Sequence, residues 1–297
     1  MLDPGEEFIH RTYPATSAKS WKENWYFNVI DTKSGVWGIT HFSLQRHLNV
    51  ATITSLFSVA GSVQAYINTF PIDAALDKLD DGALALEVIE PFKRHRLRLR
   101  APQWEFDLEF RARFAPYLYD RAAEGWKLEH DSLAIEHYEQ AMRVTGEVRV
   151  DGQSHKVDGL AYRDHSWGHR DESQLRGWNW VCAMFDDRTV NASIIRFADG
   201  STRTAGFVST ADGNVPLVEA TVLEQTKNEA GVPQQTSLRL ADASGSTFVL
   251  RASRFGGFEV PMRDDRSVVI FENFSDYTLD EKIHGVGIDE NLVAFSR

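Results

Sequence analysis

Alternating apolar and polar positions run through most of this chain, and a two-residue period is typical of half-buried β-strands. Residues 96–114 alternate almost without interruption. Residues 25–44 and 146–164 each contain two alternating runs joined by turn-forming residues, at Asp31–Gly35 and at Asp151–Gly152. We therefore expect a hairpin at each of these two places.

Shorter candidate strands follow at intervals of about ten residues, separated by Gly, Asp or Asn. They are residues 178–185, 191–197, 204–209, 216–224, 236–240, 246–251 and 267–271. This spacing predicts an all-β sandwich or barrel. Because Trp and His are concentrated in the first part of the chain and the later part is richer in turns, we expect two β domains, residues 1–150 and residues 151–297.

Helical patterns are few. Residues 71–82, PIDAALDKLDDG, have the spacing of a short amphipathic segment, and residues 116–130 suit an irregular loop with one helical turn at most. The sequence contains no glycine-rich phosphate loop and no dinucleotide-binding fingerprint. We therefore expect a protein without a cofactor.

The composition is that of an ordinary globular protein, with 42% hydrophobic and 25% charged residues. The net charge of −11 opposes binding to nucleic acid or to an anionic membrane surface. One basic run, Lys93–Arg100, alternates arginine with leucine, which suits the solvated face of a strand better than a phosphate-binding surface. Nucleic acid is therefore not an expected partner.

The lone cysteine, Cys182, excludes an intramolecular disulfide and lies among apolar residues, so we expect a buried structural thiol. The first residues show no secretory signal, and no stretch approaches the ~20 apolar residues of a membrane span. We expect a cytoplasmic location and no stable membrane insertion.

Residues 159–171, GLAYRDHSWGHRD, combine acidic, basic and aromatic residues at high density. If this stretch is a strand, Tyr162 and Asp164 share one face, and Arg163 and His165 share the other. An aspartic acid beside a tyrosine and enclosed by aromatic groups can be held protonated by desolvation. A protonated carboxyl group that faces an apolar cavity is what protonation of an alkene or dehydration of an alcohol requires.

Tryptophan rings would stabilise the cation formed in such a reaction, through the same attraction that binds ammonium ions. The candidates for this aromatic wall are Trp167, Trp178, Trp180, Trp25 and Trp37. Single aromatic residues at strand spacing usually belong to a core, and we favour that interpretation for Trp25 and Trp37.

The same motif also has a structural interpretation. Its charged residues could form a buried ion-pair network at a domain junction, in which Asp164 and His165 are joined by Arg163, His169, Arg170 and Asp171. The HSWGHRD segment would then be a corner, with Gly168 supplying the turn. The residues alone leave the catalytic and structural interpretations evenly matched.

Other chemistries have weaker support. His165 and His169 have the four-residue spacing of metal ligands on a helix, but the strand-like surroundings and the lack of an evident third ligand argue against a metal. Ser166 lacks the Gly-x-Ser-x-Gly elbow of a serine hydrolase. The sequence does not fix the separation of a carboxylate pair for glycoside hydrolysis, which could come from Asp164, Asp171 or Glu172.

Residues 146–171 and 178–187, the latter reading WNWVCAMFDD, resemble the central segment of the hydroxyneurosporene synthase (carotenoid 1,2-hydratase) superfamily. That group includes AttH-type lipocalin-like proteins, a fungal hydratase of prenylated isoflavonoids and the fungal Diels–Alderases that form decalin rings. The resemblance is carried by DHSWG after a VDG hairpin and by the Trp-x-Trp strand behind it. Ser166–Trp167–Gly168 is closer to the bacterial branch than to the carotenoid enzymes.

The resemblance implies a sandwich-like N-terminal domain, a lipocalin-like C-terminal barrel and an apolar pocket near their junction. It also implies that Tyr162, Asp164 and His165 occupy a Tyr-x-Asp-His arrangement. In that arrangement the aspartic acid protonates an isoprenoid double bond, and water adds to the resulting cation.

Three functions are therefore open. The leading hypothesis is a cofactor-independent lyase or isomerase of a terpenoid or prenylated molecule, with Asp164 as general acid supported by Tyr162 and His165. The alternatives are a non-catalytic carrier of lipophilic metabolites and a pericyclase of the Diels–Alderase type. Each requires a hydrophobic small-molecule partner, and unpaired β edges would also allow a homodimer.

Overall fold

The computed structural model describes residues 3–11, 21–73, 76–119, 133–170, 174–262 and 265–294. Strands dominate these residues, which confirms the predicted all-β class. The helices that the described part of the chain contains are two short 3₁₀ segments, Pro4–Glu7 and Arg46–Leu48. Within the same residues, no helix is long and apolar enough to cross a membrane.

The chain divides into two compact units, and the boundary in the described residues follows Arg170. The first unit contains the described residues up to 119 together with residues 133–170, and the second contains residues 174–294. A division near residue 150 was expected from composition. That position lies at the turn of a long hairpin whose two arms share one hydrogen-bonded ladder, so both arms belong to the first unit.

The first unit is an antiparallel sheet of eleven strands. In chain order they are β1 (Trp21–Asp31), β2 (Val36–Gln45), β3 (Val50–Val59), β4 (Ser62–Pro71), β5 (Leu79–Asp80), β6 (Leu84–Glu90), β7 (Arg94–Arg100), β8 (Trp104–Ala112), β9 (Tyr117–Leu118), β10 (Leu133–Val150) and β11 (Gln153–Arg170). The order across the sheet is β4-β3-β2-β1-β11-β10-β8-β7-β6-β5, and β9 pairs with β10. Strand β11 therefore lies at the centre, between β1 and β10.

One face of this sheet carries the apolar core of the first unit. On β11 this face includes Val157 and Ala161, and because alternate residues share a face it continues through Arg163, His165 and Trp167. All five side chains are buried. Along this row the apolar core gives way to charged and aromatic groups.

Both predicted hairpins are confirmed. Residues 25–44 belong to the β1–β2 hairpin, and β10 and β11 turn at Asp151–Gly152. Asp151 and Gly152 have φ values of 49° and 80°, the left-handed backbone that a two-residue turn of this kind requires. The corner considered at Gly168 is wrong, because β1 and β10 pair with both edges of β11 beyond that residue and keep the strand extended.

The basic run forms β7, with Leu97 and Leu99 buried and Arg98 and Arg100 exposed, as the alternation predicts. The helical spacing noted over residues 71–82 does not produce a helix in the described part of that range.

The reason lies in the side chain of Asp81. Its carboxylate accepts hydrogen bonds from the backbone N–H groups of Ala83 and Leu84 and from the Tyr66 hydroxyl of β4. These bonds stabilise a turn in place of a helix. Of the predicted loop over residues 116–130, β9 is described and residues 120–130 lie outside the described part of the chain.

The second unit is a closed antiparallel barrel of eight strands. They are β12 (Leu175–Met184), β13 (Arg188–Phe197), β14 (Thr202–Thr210), β15 (Gly213–Lys227), β16 (Pro233–Asp242), β17 (Thr247–Pro261), β18 (Val268–Leu279) and β19 (Ile283–Ala294). Pairing of β12 with β19 closes the barrel. Val181 and Ala183 belong to a cluster of buried apolar residues that the barrel strands share, so these two side chains face the interior and the even-numbered residues of β12 face outward.

Candidate functional site

Strand β11 carries one polar cluster on each of its two faces. The Asp164 cluster comprises Tyr117, Tyr119, His137, Glu139, Tyr162 and Asp164. The core-face cluster comprises Glu7, His10, Glu23, His95, Tyr138, Gln140, Arg163 and His165.

In the Asp164 cluster, the β10–β11 register places Glu139 directly opposite Asp164. The Tyr162 hydroxyl donates to Glu139 Oε2 at 2.6 Å, and the Tyr119 hydroxyl donates to Glu139 Oε1 at 2.9 Å. Glu139 is fully buried, so these two hydroxyl groups replace the water that its carboxylate would otherwise need.

His137 lies next to both carboxyl groups of this cluster. Its Nε2 is 3.4 Å from Glu139 Oε1 and 3.9 Å from Asp164 Oδ2. Burial, together with the positive charge of Arg170, lowers the pKa of His137 to about 3, so its imidazole is neutral at pH 7. Burial and the charge of Glu139 raise the pKa of Tyr117 to about 12.

The core-face cluster is organised around Arg163, whose side chain is fully buried. Its Nη1 and Nη2 donate to Glu7 Oε2 and Oε1 at 3.1 and 2.5 Å, and its Nε and Nη2 donate to Gln140 Oε1. Glu7 also accepts from the backbone N–H of Phe92 and from His95 Nε2. Burial alone would raise the pKa of Glu7, but Arg163 and then His95 hold it well below its ordinary value.

His165 lies between two acceptors in the same cluster. Its Nε2 is 3.1 Å from Glu23 Oε1, and its Nδ1 is 2.9 Å from the carbonyl oxygen of Glu6. The Tyr138 hydroxyl is 3.2 Å from the same Nδ1. His10 Nδ1 is 2.7 Å from the same oxygen of Glu23, so a short segment near the start of the chain brings a second histidine to this carboxylate.

The residues predicted from the motif therefore separate by face. Tyr162 and Asp164 share one face and Arg163 and His165 share the other, as the strand pattern predicts. His169 is partly buried on the His165 face, and Arg170 Nη2 donates to Ser166 Oγ at 3.3 Å. Asp171 lies outside the described residues. His165 and Asp164 do not converge on one point in space.

The five candidate tryptophans do not form one wall in the first unit. Trp25 stacks on His165 with ring centroids 4.3 Å apart, and Trp167 stacks on His10 at 4.4 Å, both on the core face. Trp37 is partly buried and pairs across from Ile30, on the face that carries Asp164. Trp178 and Trp180 belong to the barrel, where they face outward.

Sequence reasoning missed the acidic residues and histidines that complete both clusters: Glu7, His10, Glu23, His95, His137 and Glu139. The position of Glu139 could have been predicted from the sequence, because the two-residue turn at Asp151–Gly152 fixes it opposite Asp164. Glu23 and Glu6, two partners of His165, come from β1 and from the segment before it, and no local pattern connects those segments to β11.

A third polar group lies on the interior face of the barrel. Asp289 is buried and accepts hydrogen bonds from Thr236 Oγ1 at 2.6 Å and from Asn291 Nδ2 at 2.9 Å. Gln225 Nε2 donates to Asn291 Oδ1 at 2.9 Å, and Asn179 Nδ2 donates to the same oxygen. Burial raises the pKa of Asp289 to about 6, although both hydrogen bonds act in the opposite direction.

An eleven-stranded antiparallel sheet followed by a closed eight-stranded barrel defines a two-unit β protein of the lipocalin-like type. Residues 3–292 match the family described as a domain of unknown function, DUF7064, and the chain belongs to that family. A comparison with curated proteins found no significant match.

Solved structures share this architecture across nearly the whole chain. An AttH candidate from Nitrosomonas europaea is 18% identical with a TM-score of 0.76, covering 100% of this chain and 97% of its own. Kievitone hydratase from Nectria haematococca is 13% identical with a TM-score of 0.64, covering 95% and 90%. CghA with Sch210972 is 11% identical with a TM-score of 0.69, covering 94% and 89%. These similarities establish a common AttH-like fold.

Proposed function

We propose that this protein is a lyase or isomerase that acts on a hydrophobic small molecule, with Asp164 as its general acid. One observation carries the proposal. Asp164 and Glu139 are two carboxyl groups directly opposite each other in the β10–β11 hairpin, and Tyr162 and Tyr119 both donate to Glu139.

Directly opposite residues of an antiparallel pair have Cβ atoms about 5 Å apart, and two negative charges at that separation disfavour each other. The two tyrosine hydroxyls stabilise Glu139 as the charged member of the pair. We propose that the shared proton of the pair resides on Asp164, which is the arrangement that a general acid needs. The Asp164 side chain also keeps 17% of its surface exposed.

In the hydration direction, Asp164 transfers its proton to one carbon of an alkene and leaves a cation at the other. Water adds to that cation, and the proton released by the water returns to the Asp164 carboxylate. The neutral imidazole of His137, 3.9 Å from Asp164 Oδ2, is placed to orient the water or to pass that proton. Dehydration is the same sequence reversed, and loss of a different proton from the cation gives isomerisation.

A terpenoid or prenylated substrate suits this chemistry, because its alkenes form stabilised tertiary cations. Two of the proteins that share the fold fit the proposal: kievitone hydratase is by name a hydratase, and the CghA structure contains Sch210972. Trp37 lies on the same face as Asp164, but it pairs across from Ile30, four residues along β1 from the position opposite Asp164, so it does not flank that carboxyl group. His165 is not needed for this step, because it lies on the opposite face.

The barrel favours a second function, that of a carrier of lipophilic metabolites. A closed barrel of eight strands has the size that holds one small ligand in lipocalins. A carrier would return its ligand unchanged.

The test begins with native mass spectrometry and solvent extraction of the purified protein. The extracted compound and a panel of prenylated phenols and acyclic terpenoid alkenes are then incubated in D₂O with the wild type, Asp164→Asn and Asp158→Asn. Asp158 is an exposed aspartate on the same face of β11 and serves as the matched control.

We expect the wild type and Asp158→Asn to add water or to incorporate deuterium, and Asp164→Asn to lose this activity by about 10²-fold or more. Equal turnover by a folded Asp164→Asn variant would exclude the acid role. A bound ligand that all three proteins return unchanged would favour the carrier.

A further inference from the structure

We propose that His10, Glu23 and His165 form a binding site for a divalent transition-metal ion, on the face of β11 opposite Asp164. One ligand atom from each residue lies within 4.8 Å of the others. His10 Nδ1 and His165 Nε2 both approach Glu23 Oε1, at 2.7 and 3.1 Å. Two imidazole nitrogens and a carboxylate are a ligand set that zinc and related ions prefer.

The spacing of these atoms is close to what an ion requires. Zinc–nitrogen and zinc–oxygen bonds are about 2.0–2.2 Å long, so neighbouring ligand atoms in a tetrahedral shell are about 3.4 Å apart. To reach that spacing, the present separations of 2.7 and 3.1 Å need to open by about 0.7 and 0.3 Å, and the two imidazole nitrogens, which lie within 4.8 Å of each other, need to come to a similar distance. His10 precedes β1 in a segment outside the sheet, so its ring can move by that amount without disturbing a strand.

The outer nitrogens of both histidines already have the partners that metal-binding histidines use. His165 Nδ1 lies 2.9 Å from the carbonyl oxygen of Glu6, and His10 Nε2 lies 3.4 Å from the carboxylate of the same residue. Such second partners fix the tautomer and the ring orientation of a metal ligand. Glu6 supplies both, one from its backbone and one from its side chain.

The number of N–H groups on the His165 imidazole also favours a positive charge between His165 and Glu23. A neutral imidazole has one N–H group. If His165 donates from Nδ1 to the Glu6 carbonyl, the lone pair on its Nε2 faces the carboxylate of Glu23. A cation between Nε2 and the carboxylate turns that repulsive contact into a bond, and the same cation is within reach of His10.

The surrounding side chains hold the ligands in position. Trp25 stacks on the His165 ring and Trp167 stacks on the His10 ring. Glu23 and His165 are fully buried, whereas His10 keeps 22% of its side chain exposed. An ion held here would have three protein ligands and a fourth position for water, and it would join the segment before β1 to both β1 and β11.

In this site the second imidazole ligand beside His165 is His10. It is not His169, which lies four positions along β11. The proposal does not depend on the acid role of Asp164, because the two sites lie on opposite faces of the sheet.

The experiment uses the full chain after dialysis against a chelator and then against metal-free buffer. Titration with Co²⁺, followed by visible absorption and calorimetry, is expected to show one ion per chain and the d–d bands of a site with nitrogen ligands. Added Zn²⁺ is expected to displace the Co²⁺ and to raise the melting temperature. X-ray absorption of the Co²⁺ complex is expected to show two imidazoles.

His10→Gln is the decisive variant, because its side chain is the least buried of the three ligands and its replacement leaves β1 and β11 intact. We expect Co²⁺ affinity to fall roughly hundredfold or more, and Glu6→Gln to lower it by about tenfold through the lost second partner. His169→Gln and the exposed His284→Gln are matched controls that keep wild-type affinity.

The proposal is overturned if the wild type binds no stoichiometric Co²⁺ or Zn²⁺, or if folded His10→Gln binds as tightly as the wild type. It is equally overturned if His169→Gln or His284→Gln abolishes binding, since the ion would then lie elsewhere. Circular dichroism and melting curves of every variant separate the loss of the site from the loss of the fold.

Discussion

Arg163 on β11 and Glu7, 156 positions earlier in the chain, form a fully buried two-point ion pair that joins the segment before β1 to the centre of the sheet. Removing one partner of such a pair leaves an uncompensated buried charge. We expect Glu7→Gln and Arg163→Met each to lower the free energy of unfolding of the first unit by about 3–5 kcal/mol. Urea denaturation monitored by tryptophan fluorescence measures this loss.

The control for this pair is Arg98, whose partner Glu87 is 51% exposed. Arg98→Met is expected to cost less than about 1 kcal/mol, because water screens an exposed pair. The double variant Glu7→Gln/Arg163→Met should lose less than the sum of the two single variants. Additive losses would mean that the two side chains do not act as a pair.

Tyr162 and Tyr119 donate to different oxygens of Glu139, so the loss of either hydroxyl leaves one buried carboxylate oxygen without that partner. We expect Tyr162→Phe and Tyr119→Phe each to lower the free energy of unfolding by about 1–3 kcal/mol. The companion variant Glu139→Gln should reduce the effect of Tyr162→Phe, since an uncharged amide needs the hydroxyl less. An unchanged effect in that background would contradict this account of Glu139.

Asp289 makes the stability of the barrel depend on pH. Its pKa of about 6 in the folded chain lies above its ordinary value of 3.8, so the folded state holds the proton more tightly than the unfolded state. The stabilisation from that proton is complete below about pH 4 and is lost as the pH rises through 6. Two pKa units correspond to about 3 kcal/mol.

The variant Asp289→Asn tests this pH dependence by comparison with the wild type, because its amide resembles the protonated acid at every pH. The difference in unfolding free energy between variant and wild type is expected to be small at pH 4 and to favour the variant above pH 6. Equilibrium unfolding at several pH values gives this difference directly. A difference that does not change between pH 4 and pH 7 would show that Asp289 stays charged in the folded protein.

Closure of the barrel requires Gly287, since a Cβ at this position would overlap the carbonyl oxygen of Cys182 on β12. We expect Gly287→Ala to destabilise the barrel by about 1–3 kcal/mol or more, because the β12–β19 ladder must separate. Gly245, at a turn with φ of 90° and open space around it, is the comparison. Gly245→Ala should cost only about 1 kcal/mol, from backbone strain alone. Thermal melts of both variants distinguish steric overlap from strain.

The sequence predicted the local structure well where a two-residue alternation of apolar and polar residues, or a single turn, is enough to determine it. The alternation around Leu97 and Leu99 specified the buried face of β7, and Asp151–Gly152 specified a hairpin. That turn also determines its own register: Glu139 lies eleven residues before Val150, and Asp164 lies eleven after Gln153, so the two face each other. The opposing carboxyl groups were therefore predictable from the sequence.

The remaining features depend on contacts between distant segments. Nothing local specifies that β1 pairs with β11, and this pairing is what brings Glu23 to His165. The closing strand β19 was not among the predicted strands, because HGVGIDENL has glycines and acidic residues where a strand usually has β-branched ones. Those glycines allow the close approach of β12, and the buried Asp289 follows from the closure.

The position of β11 between β1 and β10 has a consequence for synthesis on the ribosome. Strands β1 to β4 can pair as soon as they emerge, but the second edge of β1 must wait for Leu160, which pairs with Ile30 from 130 positions further along the chain. At a translation rate of about 5–20 residues per second, that edge stays open for roughly 6 to 26 seconds. During this interval the nascent chain presents an unpaired strand with Trp25 and Phe27 uncovered, and that strand can pair with a neighbouring chain. A chaperone that covers β1 during this interval should therefore increase the yield of folded protein.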